Sequence, residues 1–279
     1  MQKRGLSGAV AAVALLGASY AVAQDLHGWL SEAATSAVAL SGVEESMGAI
    51  PSITFSIRNT SGRPITAIAV SFRKGSDVVA DYVDYYLAYP PYVLPPGGVW
   101  SLKIGASDTV VYWDRVLHID GAMFASGAQE GLPERLAPIE FKRLGTAFEA
   151  ARLAAIWGSL GEAPVEERAI DALLGRISGL PENIGDALGS LSEVRLAGAS
   201  LDEVRRAGPE QRHAFLDGVR NAREDAQRSL LQLRGLPVSA EGPHARSRSS
   251  FLQSLRETYA ARLAALADFL AKRKGGQNQ

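Results

Sequence analysis

The densest group of side chains suited to recognition is aromatic and lies between positions 82 and 113. Tyrosine and tryptophan combine a flat apolar face with a polar group, which suits stacking on a sugar ring or anchoring a protein interface. We predict a binding surface of Tyr85, Tyr89, Tyr92 and Trp113, whereas Trp100 follows the inward phase of its strand. Strand tyrosines are also ordinary β-sheet residues. The whole group comprises Tyr82, Tyr85, Tyr86, Tyr89, Tyr92, Trp100, Tyr112 and Trp113.

A second candidate is the C-terminal segment, which is rich in arginine and lysine. Between positions 244 and 274, seven basic side chains stand against two acidic ones. A basic amphipathic helix can bind an anionic membrane surface or an acidic polymer. The alternative is a solvated helix face whose cations complement the helix dipole. The basic residues that we single out are Arg256, Arg262, Lys272 and Arg273.

The histidines are the first place to look for acid–base or metal chemistry. No two of the four are close enough in sequence to share a helix face, as the ligands of a zinc site often do. They are His27, His118, His213 and His244. His118 and Asp120 share one face of a predicted strand. A hydrolase with dispersed catalytic residues would be built around these two residues and Asp114.

Other sequence motifs of catalysis or cofactor binding are missing. The sequence contains no Gly-x-Ser-x-Gly elbow and no glycine pattern of a phosphate loop or a dinucleotide site. Asp77, Asp81 and Asp84 lie close together, but without the glycine-punctuated loop that calcium prefers, so we expect them to be solvated. We therefore predict no catalytic residue, no metal and no cofactor.

The N-terminus predicts export from the cytoplasm. Lys3 and Arg4 precede an uncharged run, and the run ends in the Ala-x-Ala cleavage sequence Ala21-Val22-Ala23. We predict that residues 1–23 are a signal peptide; the alternative is a membrane anchor of similar length. The mature protein is expected to be periplasmic or extracellular, and no later run is apolar enough to form an integral membrane span.

Composition narrows the class of protein further. The chain has no cysteine, which excludes disulfides, thiolate metal sites and a cysteine-linked lipid anchor. Without Lys3 and Arg4, which signal cleavage would remove, 27 basic side chains stand against 30 acidic ones. Nucleic-acid binding needs a basic excess, so no nucleic-acid partner is predicted.

The first part of the chain alternates in hydrophobicity with the period of β-strands. Ile53, Phe55 and Ile57 share one face of a strand, and residues 65–72 alternate in the same way. A turn is predicted at Asp120-Gly121. Short strands separated by turn residues predict an antiparallel β-sandwich. The other predicted strands are 36–44, 78–86, 99–104, 109–119 and 122–125.

Two turn sequences in this region resemble those of exported bacterial immunoglobulin-like or fibronectin-III-like modules. One is Ile57-Arg58-Asn59-Thr60-Ser61-Gly62-Arg63-Pro64-Ile65, which is similar to their Asn-x-Ser/Gly hairpin. The other is Leu94-Pro95-Pro96-Gly97-Gly98, which is similar to their Leu-x-Pro-Gly turn. The resemblance covers about residues 36–126 and implies an immunoglobulin-like β-sandwich at 36–130 in an exported setting. It implies no reaction, because this architecture hosts unrelated functions.

The second part of the chain changes to a helical period. From about Leu132 apolar residues recur every three or four positions, which predicts an α-helical region over 133–274 and a disordered polar tail at 275–279. Ser200 to Glu203 is a capping-box sequence, so a short helix should begin there. Two long amphipathic helices, beginning at Pro209 and near Arg246, should pack as an antiparallel hairpin because each has an apolar stripe to bury.

These patterns predict an all-β domain followed by an all-α domain, with a role in binding rather than catalysis. We expect an exported, non-catalytic interaction protein of the cell envelope whose partner is another envelope protein. The first alternative is a carbohydrate or cell-wall polymer bound by the same aromatic surface. The second alternative is the hydrolase with dispersed residues described above.

Overall fold

The structure is a computed structural model that describes most of the chain after the predicted signal peptide. The predicted signal peptide and two of the predicted aromatic site residues, Tyr89 and Trp113, lie outside the described residues. The described residues are 30–46, 52–85, 87, 92–104, 116–158, 167–179, 183–194, 196, 199–237 and 247–276.

Eight strands in the described part of the chain form two sheets. One sheet has the order β1-β7-β4-β5, with β8 paired to β7, and the other has the order β2-β3-β6. β1 runs parallel to β7, which departs from the purely antiparallel prediction; the pairs β2·β3, β3·β6, β4·β7 and β7·β8 are antiparallel. The strands are β1 (Leu30–Ala33), β2 (Val38–Ser46), β3 (Ser52–Asn59), β4 (Ile65–Lys74), β5 (Asp77–Asp84), β6 (Val99–Ile104), β7 (Val116–Phe124) and β8 (Gln129–Gly131).

The two sheets touch through faces that the alternation predicted. Ile53, Phe55 and Ile57 on β3 are no more than 1 % exposed. The rings of Phe55 on β3 and Phe72 on β4 have centroids 5.6 Å apart. Trp100 on β6 is half-buried between two exposed neighbours, in agreement with its predicted inward phase. The apolar core of the β-rich part therefore lies between the sheets.

β4 is buried on both faces, although alternation predicted one apolar face. Every residue from Ile65 to Phe72 is buried. The second face carries small side chains such as Ala67, Ala69 and Ser71, which leave little surface to expose. β4 lies between β7 and β5 in its sheet, so its edges are covered as well.

The turn predicted at Asp120-Gly121 is wrong, because the chain remains in β7 at this point. Along β4, Ala69 pairs with Gly121 and Val70 pairs with Ile119, so Asp120 is the extra residue of a β-bulge. The Asp120 side chain is 1 % exposed and accepts a hydrogen bond from Arg73 Nη2 at 2.8 Å. This ion pair, whose Asp120 side is buried, stabilises an extended Asp-Gly sequence that in an exposed position would favour a turn.

Asn59 joins the two turn sequences into one junction. Its side chain is almost fully buried, and Nδ2 donates to the carbonyl oxygens of Arg63 at 2.9 Å and Leu94 at 3.0 Å. The Oδ1 atom accepts from the backbone N–H of Ser61 at 3.0 Å. The Asn59 backbone exchanges two hydrogen bonds of 2.9 Å with the Gly97-Gly98 turn. Turns that are 35 residues apart in sequence thus depend on one amide side chain.

The second turn needs its glycines for geometric reasons. Gly97 has a φ of +76°, which lies in the left-handed region that favours glycine. A Cβ atom at Gly98 would lie 2.9 Å from the carbonyl oxygen of Pro95. Larger residues at these two positions would push the turn away from Asn59.

Six helices follow in the described part of the chain. The predicted capping box is confirmed: Ser200 Oγ accepts from the Asp202 N–H at 3.2 Å, and the Ser200 N–H donates to Glu203 at 3.4 Å. None of the described helices combines the length and apolar character needed to cross a membrane. The helices are α1 (Pro133–Gly158), α2 (Glu167–Ser178), α3 (Ile184–Ser190), α4 (Leu201–Arg206), α5 (Pro209–Gly235) and α6 (Arg248–Gly276). The last helix includes 275 and 276, where a disordered tail was predicted, and 277–279 lie outside the described residues.

α5 and α6 form the predicted antiparallel hairpin. Arg248 at the start of α6 donates to the carbonyl oxygens of Arg234 at 3.1 Å and Leu236 at 2.8 Å, at the end of α5. Further along α6, Arg262 pairs with Asp225, which lies earlier on α5, at 3.3 Å. The order of the two contacts is reversed between the helices, so they run in opposite directions.

The inner face of this hairpin packs on α1 and α2. All four helices contribute to one apolar cluster, because each presents residues at helical spacing to the others. Its largest member, Trp157 on α1, lies against Tyr259 on α6 with ring centroids 5.7 Å apart. The cluster includes Leu153, Ile156, Trp157, Ile170, Leu173, Ile177, Ala226, Leu230, Leu252 and Tyr259.

Contacts divide the chain into two compact units. One unit contains the described residues up to Val83 with those of Leu94–Phe124 and Gln129–Arg135. The other contains Asp84–Val93, Ala125–Ala128 and the described residues from Leu136 onward. The segment with Tyr85 and Tyr92 therefore belongs to the helical unit, whereas the sequence placed it within a sandwich at 36–130.

Replacing Asn59 by Asp should lower the free energy of unfolding by about 2–4 kcal/mol, because a carboxylate oxygen would face two carbonyl oxygens that now accept hydrogen bonds. Urea denaturation followed by circular dichroism measures the change. The control is Ser61→Ala, which removes a partly exposed hydroxyl from the same turn and should cost about 1 kcal/mol. Equal decreases in the free energy of unfolding of the two variants would contradict the claim that the Asn59 side-chain amide holds both turns together.

Candidate functional site

Of the four aromatic residues predicted to form a surface, the structure describes Tyr85 and Tyr92. Their rings meet edge to face with centroids 5.2 Å apart, and the Tyr92 N–H donates to the Tyr85 carbonyl oxygen at 3.0 Å. Tyr92 is 48 % exposed and Tyr85 only 8 %. Burial, with a smaller contribution from Tyr92, raises the pKa of Tyr85. Tyr92 therefore offers a ring to solvent, and Tyr85 supports it from the interior.

Two of the four basic residues predicted on the last helix are already engaged by neighbouring groups. Arg262 is 7 % exposed and pairs with Asp225 at 3.3 Å. Lys272 donates to Asp268 at 2.6 Å and to the carbonyl oxygen of Ala125 at 3.1 Å. An anionic membrane or polymer would have to compete with the two contacts of Lys272, and Arg262 exposes too little surface to meet a flat anionic partner. Of the others, Arg256 is half-buried, and for Arg273 only its place in α6 is described.

The residues of the hydrolase hypothesis are placed in part. Asp120 is held by Arg73 at 2.8 Å and lies 4.0 Å from Arg135, so its carboxylate is neutralised and buried. His118 is half-buried two residues earlier on β7, and Asp114 lies outside the described residues. Within the described ranges, no group of three or more histidine, aspartate or glutamate side chains could hold a metal ion.

Asp84, which was expected to be solvated, is buried. Both of its carboxylate oxygens accept hydrogen bonds of 2.8 Å from Arg143 on α1, and the two side chains are 3 % and 0 % exposed. The Arg143 guanidinium also lies 4.6 Å from the ring centroid of Phe269. The prediction was wrong because the partner of Asp84 lies 59 residues away in sequence.

A groove of about 790 Å³ lies between α5 and α6. This volume is in the range of small-molecule binding sites. Leu231, Phe251, Leu255 and Tyr259 supply its apolar wall. Its neutral polar residues are Ser229, Gln232, Ser254 and Thr258, and its charged residues are Asp225, Arg228 and Arg262.

The groove forms at the edge of the core face of α6, beside an apolar residue of α5 that lies outside the core. On α6 the groove residues recur at positions 251, 254, 255, 258, 259 and 262, the spacing of one helix face. On α5, Leu230 is fully buried in the core, whereas its neighbour Leu231 points away from the core and is 55 % exposed. The hairpin can therefore pack on α1 and α2 and still leave Leu231 and part of Phe251 open to solvent.

Charge is segregated along the groove. Asp225 and Leu231 are six residues apart on α5, or about 9 Å along the helix axis. Phe251 and Arg262 are eleven residues apart on α6, or about 16 Å. Because the helices are antiparallel, Asp225 and Arg262 share one end, and Leu231 and Phe251 lie towards the other. The groove therefore has a charged end and an apolar end.

The charged end carries an excess of positive charge. Asp225 pairs with both Arg228 and Arg262, so one carboxylate serves two guanidinium groups. The Nε of Arg262 is buried and has no hydrogen-bond acceptor among the described residues. Burial raises the pKa of the neighbouring Tyr259 from 10.0 to about 12, although Arg262 opposes the shift. The phenol of Tyr259 is therefore neutral at physiological pH.

A second shared carboxylate lies inside the helical unit. Glu149 on α1 is fully buried; it pairs with Arg152 and lies 3.6 Å from Arg223 on α5. Burial raises the pKa of Glu149, and the two arginines oppose that shift. Arg152 also donates to Ser190 Oγ at 2.9 Å. At this point, as at Asp225, one carboxylate is shared by two arginines.

Sequence reasoning found one charged residue of the groove, Arg262, but gave it a different role. Phe251, Leu255 and Tyr259 recur at the helical spacing on which the prediction of the last helix rests, and all three line the groove. Leu231 was missed, although its place beside Leu230, which is buried in the core, indicates an apolar side chain off the core face. That signal becomes informative only when the partner helix is known.

Comparisons with known proteins supply no relative for this chain. No protein-family model matches it, and neither a curated protein nor a solved structure matches it significantly. Its function is therefore inferred from the contacts, burial and charge of its own residues.

Tyr259→Phe should make the protein less sensitive to alkaline unfolding. The unfolded chain releases the Tyr259 proton near pH 10.0, whereas the folded protein holds it to about pH 12. The neutral phenol contributes fully to the free energy of unfolding below pH 10, and this contribution is lost between pH 10 and 12. By pH 11 the loss is about 1.4 kcal/mol. Urea denaturation at pH 8 and pH 11 should show that the free energy of unfolding falls less in the variant than in the wild type. The same loss in both proteins would contradict the shifted phenol.

Proposed function

We propose that this protein is a non-catalytic binding protein of the cell envelope and that its ligand occupies the groove between α5 and α6. The observation that carries the proposal is an apolar wall, including half-exposed Leu231, that ends at a cluster of one carboxylate and two guanidinium groups. Binding sites combine apolar surface with a few converging polar groups in this way. A raised tyrosine pKa inside the groove adds to the pattern.

Two further parts of the proposal concern location and fold. The export signal at residues 1–23 supports a place outside the cytoplasm. We propose an immunoglobulin-like sandwich for the β-rich unit. Two observations support it, namely the contact of Phe55 with Phe72 between the sheets and the junction at Asn59 of the two turn sequences that resemble such modules.

The groove is a better candidate than the basic residues of the last helix. Lys272 is engaged by Asp268 and by a carbonyl oxygen, so its charge is partly satisfied within the protein. In the groove, by contrast, half-exposed apolar surface remains in contact with water, and covering it is favourable at about 25 cal/mol per Å². A ligand gains free energy there without displacing an existing contact of the apolar wall.

A photo-reactive amino acid at position 231 tests this proposal in the full exported chain. Irradiation of intact cells should give an adduct with the ligand, because Leu231 is exposed and lines the groove. Mass spectrometry identifies the adduct, whether it is a protein or a small molecule. The matched control is the same amino acid at Ala172, an exposed apolar position on α2. No adduct at position 231, or the same adducts at both positions, would overturn the proposal.

A second candidate function is binding of a cell-wall polymer, and the exposed ring of Tyr92 is the observation that favours it. If this ring stacks on sugar, the purified protein should sediment with insoluble peptidoglycan, and Tyr92→Ala should reduce the bound fraction severalfold. Val99→Ala serves as the control because it removes an exposed apolar side chain outside both the groove and the tyrosine pair. Equal sedimentation of the wild type and Tyr92→Ala would rule out this role for the ring.

A further inference from the structure

We infer that the groove between α5 and α6 binds a long-chain fatty acid. The carboxylate lies at the end formed by Arg228 and Arg262, and the hydrocarbon chain follows the wall formed by Leu231 and Phe251. This inference rests on the proposed function, because it names the ligand of the same groove.

The distribution of charge along the groove selects an elongated ligand with one charged end. Asp225, Arg228 and Arg262 lie in one half of the groove, and from Leu231, about one helical turn beyond Arg228 on α5, the wall is apolar or neutral. A partner helix in a groove presents an apolar stripe along its whole length, with polar residues on both flanks. The segregation seen here follows the axis of the groove instead, as the head and tail of a single-chain amphiphile do.

The sign and size of the charge favour a head group with a single negative charge, which a carboxylate carries. Asp225 neutralises one of two guanidinium groups, so the end of the groove carries one net positive charge. One carboxylate restores neutrality, whereas a phosphate monoester would bring up to two negative charges. The Arg262 guanidinium supplies positive charge at this end and is held in place by Asp225 at 3.3 Å and by the carbonyl oxygen of Leu87 at 3.5 Å. The Arg228 side chain is 72 % exposed, so it can turn towards an incoming head group.

The apolar wall accounts for the preference for a long chain. Phe251 is half-buried, and Leu231 keeps more than half of its surface exposed. Each methylene group that leaves water should strengthen binding by about fourfold. Affinity should therefore rise with chain length until the groove, about 16 Å long on α6, is filled.

The test is a titration of the full mature chain, stripped of lipid, by isothermal calorimetry with amphiphiles below their micelle concentrations. The probes share one twelve-carbon chain and differ in the head group: laurate, dodecanol and dodecyltrimethylammonium. Laurate should bind at least about tenfold more tightly than the other two, because the charged end favours an anion. Equal or tighter binding of the neutral or the cationic probe would overturn the inference.

Variants test which groove residues contact the carboxylate and which contact the hydrocarbon chain. Arg228→Gln should weaken laurate binding about tenfold and leave dodecanol binding unchanged, because only the head group is affected. Leu231→Glu should weaken both probes. The matched control is Arg168→Gln on α2, which removes the same charge from an exposed position and should bind laurate as the wild type does. If Arg228→Gln binds laurate as Arg168→Gln does, the carboxylate is not at the charged end and the inference fails.

The inference and the proposed function can fail separately. If no amphiphile binds but position 231 forms a specific adduct with a protein, the inference that the ligand is a fatty acid is wrong, and the groove remains a binding site. If no amphiphile binds and no specific adduct forms, both are wrong.

Discussion

A guanidinium group removed from water needs hydrogen-bond acceptors, and carboxylates are the strongest of these, because a buried charge without a partner is very costly. The helical unit of this protein is organised around that requirement. Arg143 is matched by Asp84 in a fully buried, bidentate pair. Glu149, however, serves both Arg152 and Arg223. The helices therefore meet at fixed points, and some of those points keep an excess of positive charge.

The groove between α5 and α6 lies beside one of these points, the pair of Asp225 with Arg262. The hairpin is joined at one level by Asp225 with Arg262, and near its connection by Arg248 with the last carbonyl oxygens of α5. Between these levels the outer faces of the helices leave space of about 790 Å³. A hairpin fixed at two levels by polar contacts can keep apolar surface open between them. Because positive charge lies at one end, the two ends of the open surface differ in chemistry.

The β-rich unit depends on a different constraint, the pairing of polar groups at its turns. Asn59 satisfies carbonyl oxygens from two turns, and the Gly97-Gly98 sequence brings the second turn close enough for these bonds. Both turn sequences were recognised as motifs, but their meeting was not predicted. In the absence of cysteine, packing of the sheets and hydrogen bonds of this kind are what hold the unit together.

Local patterns determined a large part of this structure. The alternation of Ile53, Phe55 and Ile57 predicted their burial, and the change of period near residue 132 predicted where the helices begin. Capping at Ser200 and the antiparallel hairpin also followed from the sequence. These features depend on residues within a few positions of one another, or on one helix needing to bury one stripe, so the sequence alone contains their cause.

Only the tertiary structure decided which charges are buried and which apolar side chains remain exposed. Asp84 and Asp120 looked like solvated or turn residues, yet each meets an arginine that lies 59 or 47 residues away. Leu231 and Arg262 became parts of one groove because Asp225 lies 37 residues from Arg262 in sequence and 3.3 Å from it in space. Whether a charge is paired or an apolar residue is covered depends on a partner that is distant in sequence. Spacing along the chain does not give the distance between two such residues in space.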